Sequence, residues 1–328
     1  MNQLISLQAA ADLIQAGRFL AVAGPEAVLD QLPAGRWIGG TIPYFMTEAG
    51  GTVVQDERVF VTDLTDVGTL AHIGSYGPDE LAQVSGGAPD NGFALVIIPA
   101  GGETHRRFAA EAASFPEAFV KPAVGWISGV HLNDLGRVTP KAYDGSSRTK
   151  HEDRAVVAHI GLPADKLVQV DIVNLFQPED GDVLHFTEAG FEVGECEVNG
   201  QKRRLSDYVV ERGLDHGRLP LVGDFAGARI NASLQSVDGQ GGKVKLYAPV
   251  FPGVDYRFAQ PQSNYAARFQ DEIAQHDHSG AIWSCNCILN FLFGELEGKR
   301  IGGVNGPITF GEIAYQLLNQ TQVVVRVV

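Results

Sequence analysis

One carboxylate stands among apolar and aromatic residues near the end of the chain, in the octapeptide ITFGEIAY at 308–315. This residue, Glu312, follows the glycine-rich stretch IGGVNGP, which allows unusual backbone turns and the close approach of a ligand. A carboxylate in such a setting either pairs with a ligand amine or caps the exposed amides of the next turn. Both interpretations stay open, and the first predicts a small-molecule site lined by Glu312, Asn305 and Thr309.

The pentapeptide WSCNC at 283–287 is the other candidate for chemistry. A strand is predicted to run into a helix here, so backbone amides at the turn can bind an anion or lower the pKa of the Cys285 thiol. A nucleophilic Cys285 needs a base, for which His276 and His278 lie a few residues upstream. Cysteine is more often buried than reactive. Cys285 is therefore a weak catalytic candidate, and with Asn286 it is predicted to line the small-molecule site.

Metal and nucleotide signatures are weak. The His-Asp-His at 276–278 and the Cys-x-Cys at 285–287 lack the paired spacing of a closed zinc site. The glycine-rich PAGGETHRR at 99–107 lies between a predicted strand and a predicted helix but lacks a full phosphate-binding fingerprint. We therefore predict no metal site and no cofactor. The basic residues at 105–107 are the most cationic group near a helix start and are candidates for holding an acidic ligand.

Composition narrows the class of protein. The 328 residues include 25 Lys and Arg against 39 Asp and Glu, a net charge of −14, which disfavours nucleic acid and anionic membranes as partners. No apolar run is long enough to span a bilayer, and the start of the chain lacks the pattern of a secretory leader. Three cysteines are too few for a disulfide framework. A cytoplasmic protein with reduced thiols is expected.

The order of predicted elements gives the fold class. Helical and strand patterns alternate from the N-terminus to about residue 120, β-rich segments follow to about 194, and the sequence on both sides of DGQGG at 238–242 has the alternation of a hairpin. Helix and strand alternate again near the C-terminus. We predict a mixed α/β (α+β) fold of mixed β-sheets flanked by helices, in two layered domains at 1–194 and 195–328.

The end of the chain repeats its beginning. FLAVAGPEAVLDQLPAGRWIGG at 19–40 aligns without gaps on IWSCNCILNFLFGELEGKRIGG at 282–303, and both copies end in Gly, a basic residue, one more residue and Ile-Gly-Gly. With one residue of slack the repeat extends over 19–64 and 282–328 and places Glu48 beside Glu312. An internal duplication about a pseudo-twofold axis is predicted. A pocket between the two copies would then receive Glu48 and Thr41 as counterparts of the C-terminal residues.

Several of these segments, in this order, resemble the FIST family of bacterial sensory-domain proteins. The similar segments are WIGGTIPYFMTEAGG, VNGQKRRLSDYV, VKLYAPVFPGVDYRFA, WSCNCILNFLFG and GPITFGEIAY. Gly311-Glu312-Ile313 and Asn319-Gln320-Thr321 are similar to that family's Gly-Glu-Ile and Asn-Gln-Thr elements. The resemblance implies N- and C-terminal FIST-like domains at 1–194 and 195–328, a small ligand and a signalling protein partner. No fused signalling module is recognised, so a stand-alone sensor is expected.

Three functions are compatible with the sequence. The first is a cytosolic small-molecule-binding protein of sensory type, with an amino acid or an amine as ligand. The second is a thiol- or carboxylate-dependent enzyme that uses Cys285 or Glu312. The third is a scaffold whose β-rich middle region binds another protein. The enzyme predicts a reactive Cys285, the sensor an unreactive one, and the scaffold a large exposed apolar patch.

Overall fold

The computed structural model describes residues 2–276, 278–301 and 303–328. Among these residues the helices are short, and their bounds are α1 (Leu7–Gln15), α2 (Glu26–Leu29), α3 (Gln83–Gly86), α4 (Glu103–Glu111), α5 (Leu205–Glu211), α6 (Tyr265–Ala274) and α7 (Ile288–Phe293). Helix α1 begins where the Ser6 hydroxyl accepts a hydrogen bond from the amide of Ala9. Its buried residues, Ala10 and Ile14, are one helical turn apart.

The chain divides into two compact units. Unit 1 comprises Met1–Val173, Phe269–Leu317 and Thr321–Val328, and unit 2 comprises Asn174–Arg268 and Leu318–Gln320. The two segments of unit 2 thus interrupt the chain of unit 1, and the expected domain boundary at 194/195 falls inside the longer segment. The reason is pairing between distant strands: residues 168–173 pair with 322–327, which keeps the chain up to residue 173 in unit 1. Local sequence carries no signal for such a pairing.

Unit 1 is built on three six-stranded sheets. Sheet 1 has the order β1 (Asn2–Ser6), β6 (Arg58–Asp63), β2 (Leu20–Gly24), β3 (Trp37–Thr41), β10 (Ala142–Asp144) and β11 (Thr149–His151). Sheet 2 has the order β7 (Thr69–Tyr76), β12 (Ala155–Gly161), β8 (Gly92–Pro99), β9 (Ala123–Ser128), β25 (Glu312–Ala314) and β26 (Gln316–Leu318). Sheet 3 has the order β13 (Val168–Val173), β27 (Gln322–Val327), β23 (Ala281–Cys287), β24 (Gly306–Thr309), β4 (Tyr44–Thr47) and β5 (Gly50–Val53).

The three sheets share one topology. In each, the two central strands are parallel (β2 with β3, β8 with β9, β23 with β24) and a helix connects them. In each, two antiparallel strands lie on one side and a hairpin lies on the other. The hairpin always comes from a different part of the chain: β4–β5 follows β3 but joins sheet 3, β10–β11 follows β9 but joins sheet 1, and β25–β26 follows β24 but joins sheet 2.

This topology bears on the expected repeat. The segments 19–64 and 282–328 supply the equivalent strands of sheets 1 and 3, and 92–161 supplies those of sheet 2, so three segments have the same strand order rather than two. The duplication itself stays a prediction. One part of the alignment differs from the structure: the Ile-Gly-Gly at 38–40 lies in β3, whereas the equivalent strand of sheet 3 is β24 at 306–309. The chain before β24 instead turns at Gly298 and bonds to Gly51 of β5.

Unit 2 contains two sheets. Sheet 4 has the order β17 (Gln201–Arg204), β16 (Glu195–Val198), β14 (Leu184–His185), β22 (Asp255–Phe258), β18 (Leu221–Phe225) and β19 (Ala228–Ala232). Sheet 5 has the order β15 (Gly190–Val193), β21 (Lys243–Val250) and β20 (Leu234–Asp238). The predicted hairpin about 238–242 is confirmed, since β20 and β21 are antiparallel neighbours on either side of it. The core of unit 2 includes Tyr208, Tyr256 and Phe258.

The central strands of sheet 2 are completely buried. All eight residues of β8 and all six of β9 are buried. A continuous apolar run such as FALVII in β8 is typical of a parallel strand that is covered on both faces. The predicted mixed α/β fold is therefore confirmed, and the fully buried strand β9 is the neighbour of β25, where Glu312 lies.

Candidate functional site

Glu312 lies at the start of β25, directly opposite Trp126 of β9. Both side chains are buried, with exposed fractions of 0% for Glu312 and 1% for Trp126. Directly opposed residues of an antiparallel pair point to the same face of the sheet. The carboxyl and the indole therefore share one face of sheet 2.

Among the described residues, hydrogen bonds from Thr321 reach one of the two carboxyl oxygens of Glu312 and leave the other unpaired. Glu312 Oε2 accepts hydrogen bonds from the Thr321 amide at 3.2 Å and from Thr321 Oγ1 at 2.7 Å. Glu312 Oε1 is buried and has no hydrogen-bond partner among the described residues. A buried polar atom without a partner costs free energy, so this oxygen marks an incomplete polar environment.

The enclosure changes the protonation state of this acid. Burial raises the pKa of the Glu312 carboxyl to about 8, although the hydrogen bonds from Thr321 and the Cys287 thiol act in the opposite direction. A charge is expensive in a low-dielectric interior, which is why the neutral form is favoured. The protonated acid therefore predominates at pH 7, and Glu312 carries a proton that a cationic ligand would displace.

The Asn-Gln-Thr at 319–321 contains the partner of this acid. Thr321 holds Glu312 within unit 1. In unit 2, Asn319 Oδ1 accepts hydrogen bonds from the Ser233 amide at 3.2 Å and the Ser233 hydroxyl at 2.5 Å, and Gln320 Oε1 also lies 2.5 Å from that hydroxyl. All three side chains of this tripeptide are thus tied to buried polar groups.

Three of the predicted residues lie together. Cys285 and Thr309 are on the same side of sheet 3, because Thr309 pairs with Cys287 and alternate residues of β23 share a face. The Glu312 carboxylate is close enough to Cys285 to affect the pKa of its thiol. Thr309 Oγ1 donates to the carbonyl of Gly311 at 3.0 Å. The structure thus brings Glu312, Cys285 and Thr309 into one enclosed group.

The thiols of this group are poorly suited to nucleophilic chemistry. Burial raises the pKa of the Cys285 thiol well above its usual value, and the charge of Glu312 raises it further. Its sulfur donates a weak hydrogen bond to the carbonyl of Gly125 at 3.5 Å. The reactive species of a cysteine is the thiolate. Cys285 is therefore a packing residue in this arrangement.

We expect the three cysteines of the native protein to resist a disulfide reagent such as DTNB at pH 7.5. Cys196, Cys285 and Cys287 are all buried, and burial also raises the pKa of Cys196 to about 11. Unfolding in guanidinium should release three reactive thiols. A thiol that reacts within seconds in the native protein would contradict this assignment and favour the thiol-dependent enzyme.

The side chains of Asn286 and Asn305 lie outside the group around Glu312. Asn286 alternates with Cys285 along β23, so its side chain points to the opposite face, where its Oδ1 accepts from Asn290 Nδ2 at 2.8 Å. Asn305 is half-buried, and its carbonyl accepts from the Ser284 hydroxyl at 2.9 Å. Both residues hold the turn and strand in place, and the structure does not bring either side chain to the group around Glu312.

Thr41 and Glu48 do not form the expected counterpart of Glu312. Thr41 ends β3 in sheet 1, and its hydroxyl accepts from the Lys141 amide at 2.9 Å. Glu48 is exposed at the turn of the β4–β5 hairpin, whereas Glu312 is fully buried in sheet 2. Glu48 falls on the turn of the β4–β5 hairpin, whereas Glu312 falls on β25, the first strand of the β25–β26 hairpin. The two aligned acids therefore have different environments.

Sequence reasoning missed Trp126 and Ser128. Trp126 Nε1 and Ser128 Oγ are buried and have no hydrogen-bond partner among the described residues. They are two residues apart in β9 and so share the face that carries Glu312. A Cβ on Gly40 would lie 3.1 Å from Trp126 Nε1 and 3.1 Å from Ser128 Cβ, so the glycine gives both groups room. The spacing W-x-S was visible in the sequence, but the pairing of β9 with β25 was not.

The basic residues at 105–107 do not form a free cationic site. His105 is buried, and burial lowers its pKa to about 4. Arg106 pairs with Glu103 at 3.0 Å and Arg107 pairs with Glu111 at 2.9 Å.

In the described part of the chain no group of three or more His, Cys, Asp or Glu side chains is placed to hold a metal ion. The described helices are too short or too polar to cross a lipid bilayer.

Fold and site together define a mixed α/β protein with an enclosed polar group on one sheet face. The chain belongs to a family of proteins of unknown function, DUF6976, whose profile matches residues 5–328. No curated protein and no solved structure matches the chain. The resemblance to FIST proteins stays a prediction.

Proposed function

We propose that this chain is a small-molecule-binding protein and that its ligand is held on the Glu312 face of sheet 2. One observation carries the proposal: Glu312 Oε1, Trp126 Nε1 and Ser128 Oγ are buried on one sheet face, and none of them has a hydrogen-bond partner among the residues that the structure describes. Each such atom costs about 1–3 kcal/mol when it stays unpaired. A ligand that bonds to all three would recover this free energy, which is a source of affinity.

The chemistry of the three atoms favours an amino acid or a related amine as ligand. A carboxyl group stabilises an ammonium group, while an indole N–H and a hydroxyl donate to an acceptor such as a carboxylate. The three residues are neighbours on one face, with backbone spacings of about 5 Å between β25 and β9 and about 7 Å along β9, which is the scale of a small zwitterion. The ammonium group would take the place of the proton on Glu312.

Entry of the ligand requires a local opening, because the three side chains are almost completely enclosed. We therefore expect association to be slow compared with ordinary docking, at the low end of the range for binding that needs a conformational change. Phe310 is the adjacent partly exposed residue, and its ring packs against Gly129 just after β9. It is the first place to look for such an opening.

A sensory role, as the resemblance to FIST proteins implies, is part of this proposal. Ligand binding would change the protein's affinity for a signalling protein, which would bind the ligand-bound form. Three buried free cysteines agree with a reducing cytoplasmic location. The carboxylate-dependent enzyme is the second candidate, because a carboxyl that is protonated at neutral pH is in the state that a general acid requires.

The experiment is a thermal-shift screen of amino acids, amines, carboxylates and nucleotides against wild type, Ser128→Ala and Thr47→Ala. Ligand binding to the native state raises the melting temperature with concentration. We expect a hit among the amino acids or amines that Ser128→Ala weakens about tenfold, which corresponds to one hydrogen bond. Thr47→Ala is the matched control, since its hydroxyl lies at the β4–β5 turn. The absence of any hit, or equal affinity in Ser128→Ala, would overturn the proposal.

A further inference from the structure

The opposite face of sheet 2 carries a second group of polar side chains. His159 of β12 is directly opposite His72 of β7, and Gly74 and Tyr76 follow His72 at alternate positions on the same face. His159 pairs with Ala94, and Ala94 pairs with Ala123 of β9, so these three residues share one face. Ala123 and Trp126 are three residues apart along β9 and therefore point to opposite faces. The two histidines thus lie on the face that does not carry Glu312.

The two imidazoles and the phenol of this group are close together. The ring centroids of His72 and His159 are 6.3 Å apart with an angle of 21° between their planes, and those of Tyr76 and His159 are 6.1 Å apart. Two imidazoles that bind one ion at about 2.0–2.1 Å have centroids about 5.2 Å apart at a tetrahedral angle and about 6.4 Å apart when the two bonds are opposite. The separation of the two histidines is about 1 Å longer than a tetrahedral site needs, so binding would draw the exposed His72 ring toward His159.

Gly74 provides room between the other two groups. A Cβ at this position would lie 2.7 Å from the Tyr76 hydroxyl and 3.1 Å from His72 Nε2. The phenol therefore extends back over Gly74 toward the histidine. Both atoms border a space that any side chain at position 74 would fill.

The orientation of His159 is fixed in the manner of a metal ligand. Its Nε2 donates to the carbonyl of Val84 at 3.1 Å, because a carbonyl can only accept. This bond leaves Nδ1 with a free lone pair, and Nδ1 is buried without a hydrogen-bond partner among the described residues. Histidines that bind metals commonly donate their other ring N–H to a backbone carbonyl, which fixes the tautomer and the ring direction.

We propose that His72, His159 and Tyr76 form a site for a divalent transition metal of the zinc or copper type. Imidazole nitrogens suit zinc and copper, whereas calcium and magnesium take oxygen ligands, so the two histidines favour an ion of the first kind. Three protein ligands leave a fourth position for water, so the site is open. His72 is exposed and Tyr76 is half-buried, which gives an ion access from solvent.

The test is a calorimetric titration of the metal-stripped full-length chain with Zn²⁺, using wild type, His72→Ala, Tyr76→Phe and His185→Ala. His72 and Tyr76 are chosen because they are not fully enclosed, so their replacement should leave the fold intact. His185 is the control, a partly exposed histidine in unit 2 that pairs with Asp255. We expect one Zn²⁺ per chain with a micromolar or lower Kd, weakened at least tenfold in His72→Ala and unchanged in His185→Ala.

A second readout isolates the phenol. Cu²⁺ bound to wild type should show a visible phenolate-to-copper charge-transfer band that Tyr76→Phe removes, while binding through the two histidines persists. No stoichiometric Zn²⁺ binding by wild type, or the same Kd in His72→Ala, would overturn the proposal. An unchanged band in Tyr76→Phe would remove Tyr76 from it and so overturn the three-ligand site.

Discussion

Relative to Glu312→Gln, wild-type protein should lose stability as the pH rises from about 4.5 to about 8. The carboxyl has a pKa of about 8 in the folded chain and an ordinary value of 4.5 when exposed. Between these values the folded state holds a proton that the unfolded state releases. The contribution is complete below pH 4.5, declines by up to about 1.4 kcal/mol for each pH unit, and is absent above pH 8.

The measurement is urea unfolding at pH 5, 6, 7 and 8, followed by tryptophan fluorescence. Glutamine imitates the protonated acid, because its amide oxygen can still accept from Thr321 and its NH2 group replaces the O–H. Wild type and Glu312→Gln should be similarly stable at pH 5 and differ by a few kcal/mol at pH 8, with the mutant more stable. Glu48→Gln, at an exposed turn, is the matched control. Parallel pH profiles for wild type and Glu312→Gln would show that Glu312 titrates normally.

Gly125→Ala should be the most damaging small substitution near the site. Gly125 lies in β9 with a φ of 154°, and a Cβ there would lie 1.8 Å from the carbonyl oxygen of Val96 on β8. No rotation relieves a clash between two backbones in a buried sheet. We expect insoluble protein, or a loss of more than about 4 kcal/mol in the free energy of unfolding.

Gly86→Ala is the matched control. Gly86 is an exposed residue of α3, and a Cβ there would meet nothing within 4 Å. Alanine is the better helix former, so this change should be neutral or stabilise by about 0.5–1 kcal/mol. Denaturant unfolding of the three proteins measures both effects. A Gly125→Ala protein as stable as wild type would show that β8 and β9 do not approach as closely as described.

Individual strands and hairpins could be predicted from the sequence, whereas the pairing of strands that are distant in the chain could not. The apolar run of β8 and the alternation around DGQGG predicted a strand and a hairpin, because period and turn chemistry are local properties. Each hairpin of unit 1 joins a different sheet from the strand that it follows, and this pairing is not a local property of the sequence. No pattern in residues 312–314 indicates that they pair with 124–126.

The same limit applies to the site. Glu312 stood out because an acid in an apolar setting is unusual, and it is indeed fully buried. Its proposed companions Trp126 and Ser128 lie almost two hundred residues earlier in the chain, in a strand that looked like ordinary core. Glu48, which the repeat placed opposite Glu312, is exposed instead. An alignment matches positions along the chain, whereas burial depends on which sheet receives each hairpin.

The most direct test of the account is the number of protons released when the ligand binds. It is measured by calorimetry at pH 7 in two buffers with different heats of ionisation, with the strongest amine or amino acid from the thermal-shift screen. With a carboxyl pKa of about 8, Glu312 is mostly protonated in the free protein, and pairing with an ammonium group would ionise it. The account predicts release of about 0.9 proton per ligand in wild type, from the protonated fraction one pH unit below the pKa, and none in Glu312→Gln. Binding without proton release in wild type would contradict it, because the ligand would then not pair with this acid.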